Sequence, residues 1–454
     1  MPASRRLGMN GVQVSENLFS KTGPCSGLSL VLILAFSLRL ALLFGNIADH
    51  PRFFFQNLAT VEAEISSSEI PYMNPFGFEA SNIAHALVCT DQGYASPFGG
   101  ATGPTAWIAP GVVALYALSF TLWGCFTFES ILFTFVIALV VSLITTVVVF
   151  RIGSRVGGDT DVGLLAALFF TVLPFEAWIF QIAGHLDFNL QVLWFAVLLL
   201  AVLRAMDRDR RQSGFEFGAV SSAAAIFNPG FLLCAAVGFV FAIRGRPRRE
   251  IGRFVLLVGL AHVLILGPVV AIQSIRLGGF VPVKSNAGFE IFLGDTPEAH
   301  GLLHDPAFQT YHPSQSVKEF ARYSAVGELR YVDDAKQQFR ESFGITDFLG
   351  RSGLRVFHFF LGYQVKPWDT SVLVIAIKAG FWVLPTISLL ALMALRRGRL
   401  DAAECVVVLF TLAYAVPYLV TGVMERYRIP MVSFAAVALA LVTQALIGSR
   451  RERI

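Results

Sequence analysis

The residues of this chain best suited to chemistry are charged side chains that lie beside long apolar segments. The segment 74–79 ends in Glu79, at the start of a predicted short helix over residues 80–88. A carboxylate in a first helical turn is stabilised by the helix dipole and can still face a cavity, where it could act as a general base. The position also suits a glutamate with no further role, so both interpretations stay open.

A second carboxylate, Asp187, lies between two apolar segments, next to His185. Aspartate is among the best N-cap residues, so Asp187 could cap the following helix, line a site, or do both. His185 could be an interfacial histidine with an apolar body and a polar tip, or part of the site. Ionisable residues near a membrane cost free energy, which makes both residues functional candidates.

Positive charge accompanies these carboxylates. Arg426 and Arg428 flank a tyrosine near the end of the chain, and two arginines beside a bilayer suit either a phosphate headgroup or an interfacial anchor. Arg39 lies inside the first apolar segment, so we expect it to reach the outer half of the membrane near the same cavity or to pair with an acidic group.

Lys284 and Asn286 belong to a run, 280–295, in which polar and apolar residues alternate. This alternation predicts a strand or an extended segment over the cavity. A helical stretch follows, and its charged residues between Lys318 and Lys336 are typical of a solvated face.

Apolar segments must position these residues. Of 454 residues, 55% are hydrophobic and 15% charged, against roughly 25% charged in soluble domains. About 20 apolar residues cross a ~30 Å hydrocarbon core. Segments of this kind cover residues 26–44, 130–150, 162–180, 187–203, 254–272, 372–395, 405–423 and 431–447. A shorter pair, 215–227 and 230–243, is split by Asn228-Pro229-Gly230, which predicts a helical hairpin.

Basic clusters orient these segments. They are Arg5/Arg6, Arg151/Arg155, Arg204 to Arg211, Arg244 to Arg249, Arg396 to Arg399 and Arg450 to Arg453. Basic short loops stay cytoplasmic, so placing all six clusters inside gives ten crossings with both termini cytoplasmic. The sequence therefore predicts an all-α polytopic membrane protein with about 10–11 transmembrane helices. A basic nucleic-acid patch is disfavoured, because it would need one face of a soluble domain.

The apolar stretch 106–126 would reverse this orientation if it crossed the membrane. Its internal Pro110-Gly111 favours a re-entrant or juxtamembrane helix instead. The resulting division is a cytoplasmic N-terminus (1–25), a first transmembrane helix (26–46), a first outer loop (47–105), a transmembrane bundle (106–273), a second outer loop (274–370), C-terminal transmembrane helices (371–448) and a cytoplasmic tail (449–454). The first span is interpreted as a retained anchor and not a removed signal peptide.

The five cysteines are scattered without a CxxC pair, so neither a disulfide framework nor a zinc site is expected, and they are interpreted as small hydrophobic residues. The common nucleotide-binding motifs and the HExxH metal motif are absent from the sequence. These observations leave chemistry on membrane-delivered substrates, transport or scaffolding.

The order of several motifs resembles the GT-C membrane glycosyltransferases, in particular the bacterial group similar to family 39 protein mannosyltransferases and aminoarabinose transferases. The resemblance covers nearly the whole chain. It is carried by Phe78-Glu79, Ile83-Ala84, Gly93-Tyr94, Ser96-Pro97-Phe98, Gly103 to Trp107, Asn228-Pro229, Val281 to Gly294, Gly327-Glu328 and Arg426-Tyr427-Arg428 with Pro430.

The resemblance implies sugar transfer at the outer face of a cell membrane, from a polyprenyl-phosphate-linked donor to a glycan, lipid or protein acceptor, usually with inversion. A first-loop carboxylate would be the general base, and basic residues would hold the lipid phosphate. No cofactor is expected with certainty, and a divalent cation is left open. The family commonly has an adjacent Asp-Glu pair in the first loop, which this chain lacks before Ile83.

We therefore expect Glu79 to be the base, about one helical turn after the position of the family's aspartate, with Glu62, Glu64 and Glu69 as alternatives. Asp187 would orient the acceptor or a bound cation. The expected substrate-binding residues are Lys284, Asn286, Arg426, Arg428, Arg39 and His185.

Two other functions fit the same membrane architecture. A transporter or flippase of a lipid-linked or amphipathic solute would place its charged sites near the bilayer midplane, often with internal symmetry. A non-catalytic scaffold would need only the large outer loops. The concentration of carboxylates outside and the unlike halves of the chain favour the enzyme.

Overall fold

The computed structural model describes residues 24–49, 60–61, 63–64, 71, 77–173, 186–207, 213–299, 302–303, 305–362, 371–397 and 399–451. Over this part of the chain the fold is helical. Its β structure consists of two isolated bridges, Ala95 with Pro104 and Leu302 with Val423. The protein is thus an all-α polytopic membrane protein, as the apolar segments predict.

The helices follow one another along the whole described chain. They are α1 Pro24–Asp49, α2 Phe78–Val88, α3 Pro110–Trp123, α4 Phe128–Gly157, α5 Thr160–Val172, α6 Leu186–Ala205, α7 Ser213–Phe227, α8 Phe231–Ile243, α9 Arg248–Leu277, α10 Ala287–Asp295, α11 Asp305–Tyr311, α12 Val317–Val326, α13 Glu328–Ser342, α14 Ile345–Phe360, α15 Val372–Leu395, α16 Ala402–Thr421, a 3₁₀ helix Glu425–Met431, and α17 Val432–Arg451.

Seven helices in the described residues are long and apolar enough to cross a membrane. They lie in α1, α4, α6, α9, α15, α16 and the 3₁₀–α17 unit, and α3, α5 and α8 are shorter apolar helices. The predicted hairpin is present, since α7 and α8 flank the turn at Asn228. The count of ten crossings stays a prediction, because residues 174–185 lie outside the described part.

The helix α3 is too short for a straightforward crossing. Its 14 residues extend about 21 Å, against a hydrocarbon core of ~30 Å. It begins at Pro110, which suits a first helical position because its missing N–H would be unsatisfied there anyway. Its depth in the bilayer stays a prediction.

A disulfide between Cys89 and Cys125 ties the end of α2 to the turn after α3, with the two Cα atoms 6.5 Å apart. The expectation that these cysteines are merely small hydrophobic residues was therefore wrong for this pair. The sequence separation of 36 residues hides the pairing, because only the folding of α2 against α3 brings the two thiols together. Cys234 and Cys405 are free.

Close helix packing builds the bundle. On α4 and α5, Gly153 and Gly163 allow contact so tight that a Cβ on Gly163 would lie 2.7 Å from the carbonyl oxygen of Phe150. The middle helix α6 is buried on most sides, with Phe195 and Leu198 fully covered. A rigid bundle of this kind gives the loops above it fixed anchor points.

The two segments predicted as outer loops share one hydrophobic core. Phe98 from the first segment and Trp107, two residues beyond it, pack with Phe289, Tyr323 and other apolar residues from the second. Their rings meet mostly edge to face, for example Phe98 and Tyr323 at 5.1 Å between centroids. The two segments therefore form one layer over the helix bundle.

Two predictions for the second segment need correction. Residues 287–295 form the helix α10 and not a strand or an extended segment. Its apolar residues, Phe289 and Leu293, are four apart and lie together in the shared core, which is a helical spacing. The solvated face predicted for the charged stretch also fails at Glu319 and Glu328, which are buried.

Candidate functional site

A cavity of about 360 Å³ lies between this layer and the bundle. Its wall draws on α2, α3, α6, the α7–α8 turn, the segment before α10, α10 itself, α16 and the 3₁₀ helix. The ionisable side chains on its wall are Glu79, Asp187, Lys284, Glu290, His312, Tyr116, Tyr418, Arg426 and Tyr427. Residues far apart in the sequence, including Glu79, Asp187, Lys284, Asn286 and Arg426, thus meet in one place.

Glu79 enters the cavity from the first turn of α2. The helix starts after Gly77, whose φ of +90° is the left-handed region, and a Cβ there would lie 2.5 Å from the Tyr116 ring. Glycine at this turn therefore sets the direction in which Glu79 points. Burial raises the pKa of Glu79, and Asp187 acts in the same direction, while Arg426 and Lys284 oppose the rise.

Asp187 lies on α6. The helix begins at Leu186, so Asp187 is inside its first turn and is not the N-cap residue. It lines the cavity together with Phe188 and Gln191, on a helix whose other faces are buried in the bundle. His185 lies outside the described residues.

Lys284 and Asn286 stand on the chain just before α10. The Ser285 N–H between them donates to the Ala106 carbonyl at 3.0 Å, which fastens this segment to the chain just before α3. Asn286 donates from Nδ2 to Glu290 Oε1 at 3.0 Å. Within the described structure, Lys284 makes no ion pair.

Glu290 is a third carboxylate of the cavity that the sequence did not single out. It lies in the first turn of α10, and the strand predicted for this run concealed its approach to Glu79. Burial raises the pKa of Glu290, the charge of Glu79 raises it further, and Lys284 and Arg426 act against them. The helical spacing of Phe289 and Leu293, four residues apart, is the signal in the sequence that could have revealed Glu290.

Arg426 supplies the second cation of the cavity. Its guanidinium carbon lies 5.7 Å from the centroid of the Phe188 ring, a distance at which the ring face attracts a cation. Its Nε is buried and has no hydrogen-bond partner in the described residues. A charged donor left without a partner is costly, so this guanidinium is suited to bind an anion that enters the cavity.

The other two arginines expected at the site do not line the cavity. Arg428 is buried, donates from Nη2 to the Gly362 carbonyl at 2.6 Å and lies over Trp382. In a 3₁₀ helix of about three residues per turn, residues two apart point about 120° away from each other. Because Arg426 faces the cavity, Arg428 faces the α14–α15 side.

Arg39 is held inside the bundle. It donates to Ser142 Oγ and to the carbonyl oxygens of Ala35 and Thr171, at 3.3 Å and 3.4 Å. These acceptors on α1, α4 and the end of α5 reduce the cost of burying the charge. The guanidinium therefore remains among the helices, away from the cavity.

Glu328 connects the chain segments that carry Trp107 and Lys284 on the cavity wall. Its carboxylate accepts hydrogen bonds from the Ala106 N–H at 2.7 Å, Ser285 Oγ at 2.6 Å and Tyr323 OH at 2.7 Å, and from Thr105 Oγ1. These donors come from both outer segments. The carboxylate thus fixes the positions of Trp107 and Lys284, which follow and precede its partners in the chain.

This geometry combines an ionisable carboxylate with two cations that lack ion pairs in the described structure. A carboxylate with a raised pKa in such a cavity can accept a proton from a hydroxyl, and two cations can stabilise a departing phosphate. No group of three His, Cys, Asp or Glu side chains in the described ranges is close enough to hold a metal ion.

Comparison with solved structures finds the same architecture in an archaeal enzyme. The oligosaccharyltransferase AglB of Archaeoglobus fulgidus, solved with an inhibitory peptide and a dolichol-phosphate, superposes with a TM-score of 0.53 at 13% identity, over 96% of this chain and 52% of that one. Its apo form gives the same values. The form with zinc and sulfate gives a TM-score of 0.52 at 12% identity, over 94% and 50%.

The chain thus spans about half the length of these oligosaccharyltransferases. No family model matches the sequence, and no curated protein matches it. The resemblance to family 39 in particular stays a prediction. The helical architecture and the superposition over nearly the whole chain show that this protein has the GT-C fold of membrane glycosyltransferases.

Proposed function

We propose that the protein transfers a sugar from a polyprenyl-phosphate-linked donor to an acceptor at the outer face of the membrane. One observation carries the proposal: Glu79 shares a cavity with Lys284 and Arg426, and neither cation has an ion-pair partner in the described structure. This arrangement suits a reaction in which a base removes a hydroxyl proton while a phosphate leaves.

Lys284 and Arg426 would bind the donor phosphate. The phosphate is the leaving group, so its negative charge increases as the bond to the sugar breaks, and cations fixed in a partly buried cavity stabilise that charge. The archaeal neighbour was solved with a dolichol-phosphate, which supports a lipid-linked donor for a chain of the same fold.

Glu79 would be the general base. It takes the proton of the acceptor hydroxyl, whose oxygen then bonds to the anomeric carbon while the carbon–oxygen bond to the phosphate breaks. The polyprenyl phosphate leaves with the bonding electron pair. Attack from the face opposite the phosphate inverts the anomeric centre. Asp187 would orient the acceptor or a bound cation.

The disulfide supports the outer placement of this chemistry. Disulfides persist in oxidising compartments and are rare in the cytosol. Cys89 follows α2 and Cys125 follows α3, so a bond between them requires these two helix ends to lie on the same side of the membrane. That side would face the oxidising compartment, opposite the side predicted for the basic clusters.

The direct test is to reconstitute the purified protein in liposomes with a panel of labelled polyprenyl-phosphate sugars and a lipid extract as the acceptor source. Release of free polyprenyl phosphate together with labelled product supports the enzyme. Movement of intact donor between leaflets without bond cleavage would instead identify a flippase. No release from any donor would leave the scaffold interpretation and contradict the proposal.

A further inference from the structure

A histidine also lies on the wall of the cavity. His312 follows α11, and its side chain is only 2% exposed yet forms part of the cavity wall. Its ring stacks on Phe308 with the centroids 4.5 Å apart, and it meets Trp107 and Phe289 closer to edge-on at 5.8 Å and 5.4 Å. Aromatic contacts on several sides fix the plane of the imidazole.

The hydrogen bonds of His312 determine which nitrogen carries the proton. The backbone N–H of Ser314 donates to Nδ1 at 3.1 Å, and Ser314 Oγ lies 2.6 Å from the same atom. A backbone N–H can only donate, so Nδ1 must have a free lone pair. In the neutral ring the proton is therefore on Nε2, which has no hydrogen-bond partner in the described residues.

The surroundings favour this neutral form. Burial lowers the pKa of His312 to about 3, and the positive charge of Arg426 acts in the same direction. The charged groups that share the cavity with it come from several elements: Glu79 on α2, Asp187 on α6, Lys284 before α10, Glu290 on α10 and Arg426 on the 3₁₀ helix.

We propose that His312 donates a hydrogen bond from its neutral Nε2–H to a phosphate oxygen of the lipid-linked donor. Its Nδ1 is already committed to Ser314, its ring is locked by aromatic side chains, and Nε2 is the nitrogen left for a ligand. Arg426, whose buried Nε also lacks a partner, offers a second donor from the same cavity. This inference rests on the proposed function and adds a residue to its phosphate site.

A neutral donor has a specific advantage beside these carboxylates. An imidazolium would gain and lose its charge near neutral pH and would pair with Glu79 or Glu290, competing with the ligand. A neutral N–H remains a donor over the whole working pH range. Triosephosphate isomerase is the known example of such a neutral histidine acting on a ligand oxygen.

Two variants of similar size separate hydrogen bonding from packing. His312→Gln keeps an amide N–H near the position of Nε2, whereas His312→Met fills the space without a donor. We expect His312→Met to weaken binding of a short-chain polyprenyl monophosphate by about tenfold to a hundredfold, the effect of a hydrogen bond to a charged group. His312→Gln should recover most of this loss.

The binding assay identifies the atom that is recognised. The matching polyprenol, which lacks the phosphate, should bind wild type and His312→Met equally. Equal affinity of wild type and His312→Met for the monophosphate would overturn the proposal, and so would equal weakening of monophosphate and polyprenol binding. The assay requires no sugar transfer, so it can fail while the transferase stands, and it can succeed if no donor sugar has been found.

A second measurement uses the wild-type protein, and a variant is needed only to assign the NMR signal of His312. In protein labelled with ¹⁵N histidine, the signal lost in His312→Gln should show a protonated Nε2 and an unprotonated Nδ1 from about pH 5 to about pH 8, a range over which a free histidine titrates. Addition of polyprenyl monophosphate should shift the Nε2 resonance. A titration in that range, or no response to the phosphate, would contradict the proposal.

Discussion

The carboxylates of the cavity are electrostatically coupled, and the coupling gives a pH prediction. Asp187 raises the pKa of Glu79, so Asp187→Asn should lower it. A base works when it is ionised, so the acidic limb of the activity profile should move to lower pH. The measurement is kcat/KM against pH for both proteins. An acidic limb that does not move, or moves to higher pH, would contradict the coupling.

Lys284 should have the opposite effect on the same limb. Its charge opposes the rise in the pKa of Glu79, so Lys284→Met should raise that pKa further and move the acidic limb to higher pH. The variant should also bind polyprenyl monophosphate about tenfold or more weakly, since it loses one charge-assisted contact.

Lys336→Met is the matched control for Lys284→Met, because Lys336 pairs with Asp333 on α13 and does not line the cavity. In Lys336→Met, both the pH profile of activity and the affinity for polyprenyl monophosphate should be unchanged. If Lys284→Met behaved like this control, Lys284 would have no place in the phosphate site.

Glu328 connects the two segments that are predicted to be outer loops. Glu328→Leu would leave the buried donors of Thr105, Ala106, Ser285 and Tyr323 without their acceptor. We expect a loss of roughly 3 kcal/mol in the free energy of unfolding, seen as a lower melting temperature of the purified protein. Glu341→Leu, on the exposed end of α13, is the control, and equal melting temperatures would contradict this role.

Sequence reasoning succeeded where local patterns decide the structure. Apolar length predicted the spanning helices, and Asn228-Pro229-Gly230 predicted the hairpin of α7 and α8. It failed for α10, because a short run of alternating polar and apolar residues fits both a strand and a helix. Contact with the layer over the bundle decides in favour of the helix. Burial of Glu328 was hidden for the same reason, since its four partners come from distant segments.

The candidate site was predictable in part. Glu79 and Asp187 stand out because carboxylates are rare beside apolar segments, and the structure places both on one cavity. His312 carries no local signal, because its neighbours come from tertiary packing, and for Glu290 the signal is limited to the helical spacing of Phe289 and Leu293. For Arg426 and Arg428 the sequence predicted too much. Their spacing suggested that both bind one phosphate, but the 3₁₀ backbone directs only Arg426 into the cavity.

The disulfide makes the orientation of the protein in the membrane testable. Cys89 is exposed and Cys125 half-buried, so a membrane-impermeant reductant followed by a membrane-impermeant maleimide should label both from the outer side of intact spheroplasts. Labelling that requires permeabilised membranes would contradict the outer placement of α2 and α3.

The same disulfide should stabilise the fold. Closing a loop of 36 residues corresponds to roughly 4 kcal/mol in the chain-entropy account. The double variant Cys89→Ser/Cys125→Ser should therefore melt at a lower temperature than the oxidised wild type. Under reducing conditions the variant and the wild type should melt at the same temperature. Identical melting of the variant and the oxidised wild type would contradict this stabilisation.

We propose that a lipid-linked sugar enters this cavity and that Glu79 removes the acceptor proton. The most direct measurement compares wild type, Glu79→Gln and Glu64→Gln for release of polyprenyl phosphate from a labelled donor in liposomes. Glu64 is an exposed first-loop carboxylate and serves as the matched control. We predict release by wild type and Glu64→Gln, and a loss of about 10²- to 10⁴-fold in Glu79→Gln with unchanged membrane insertion. Full activity in Glu79→Gln would contradict the account.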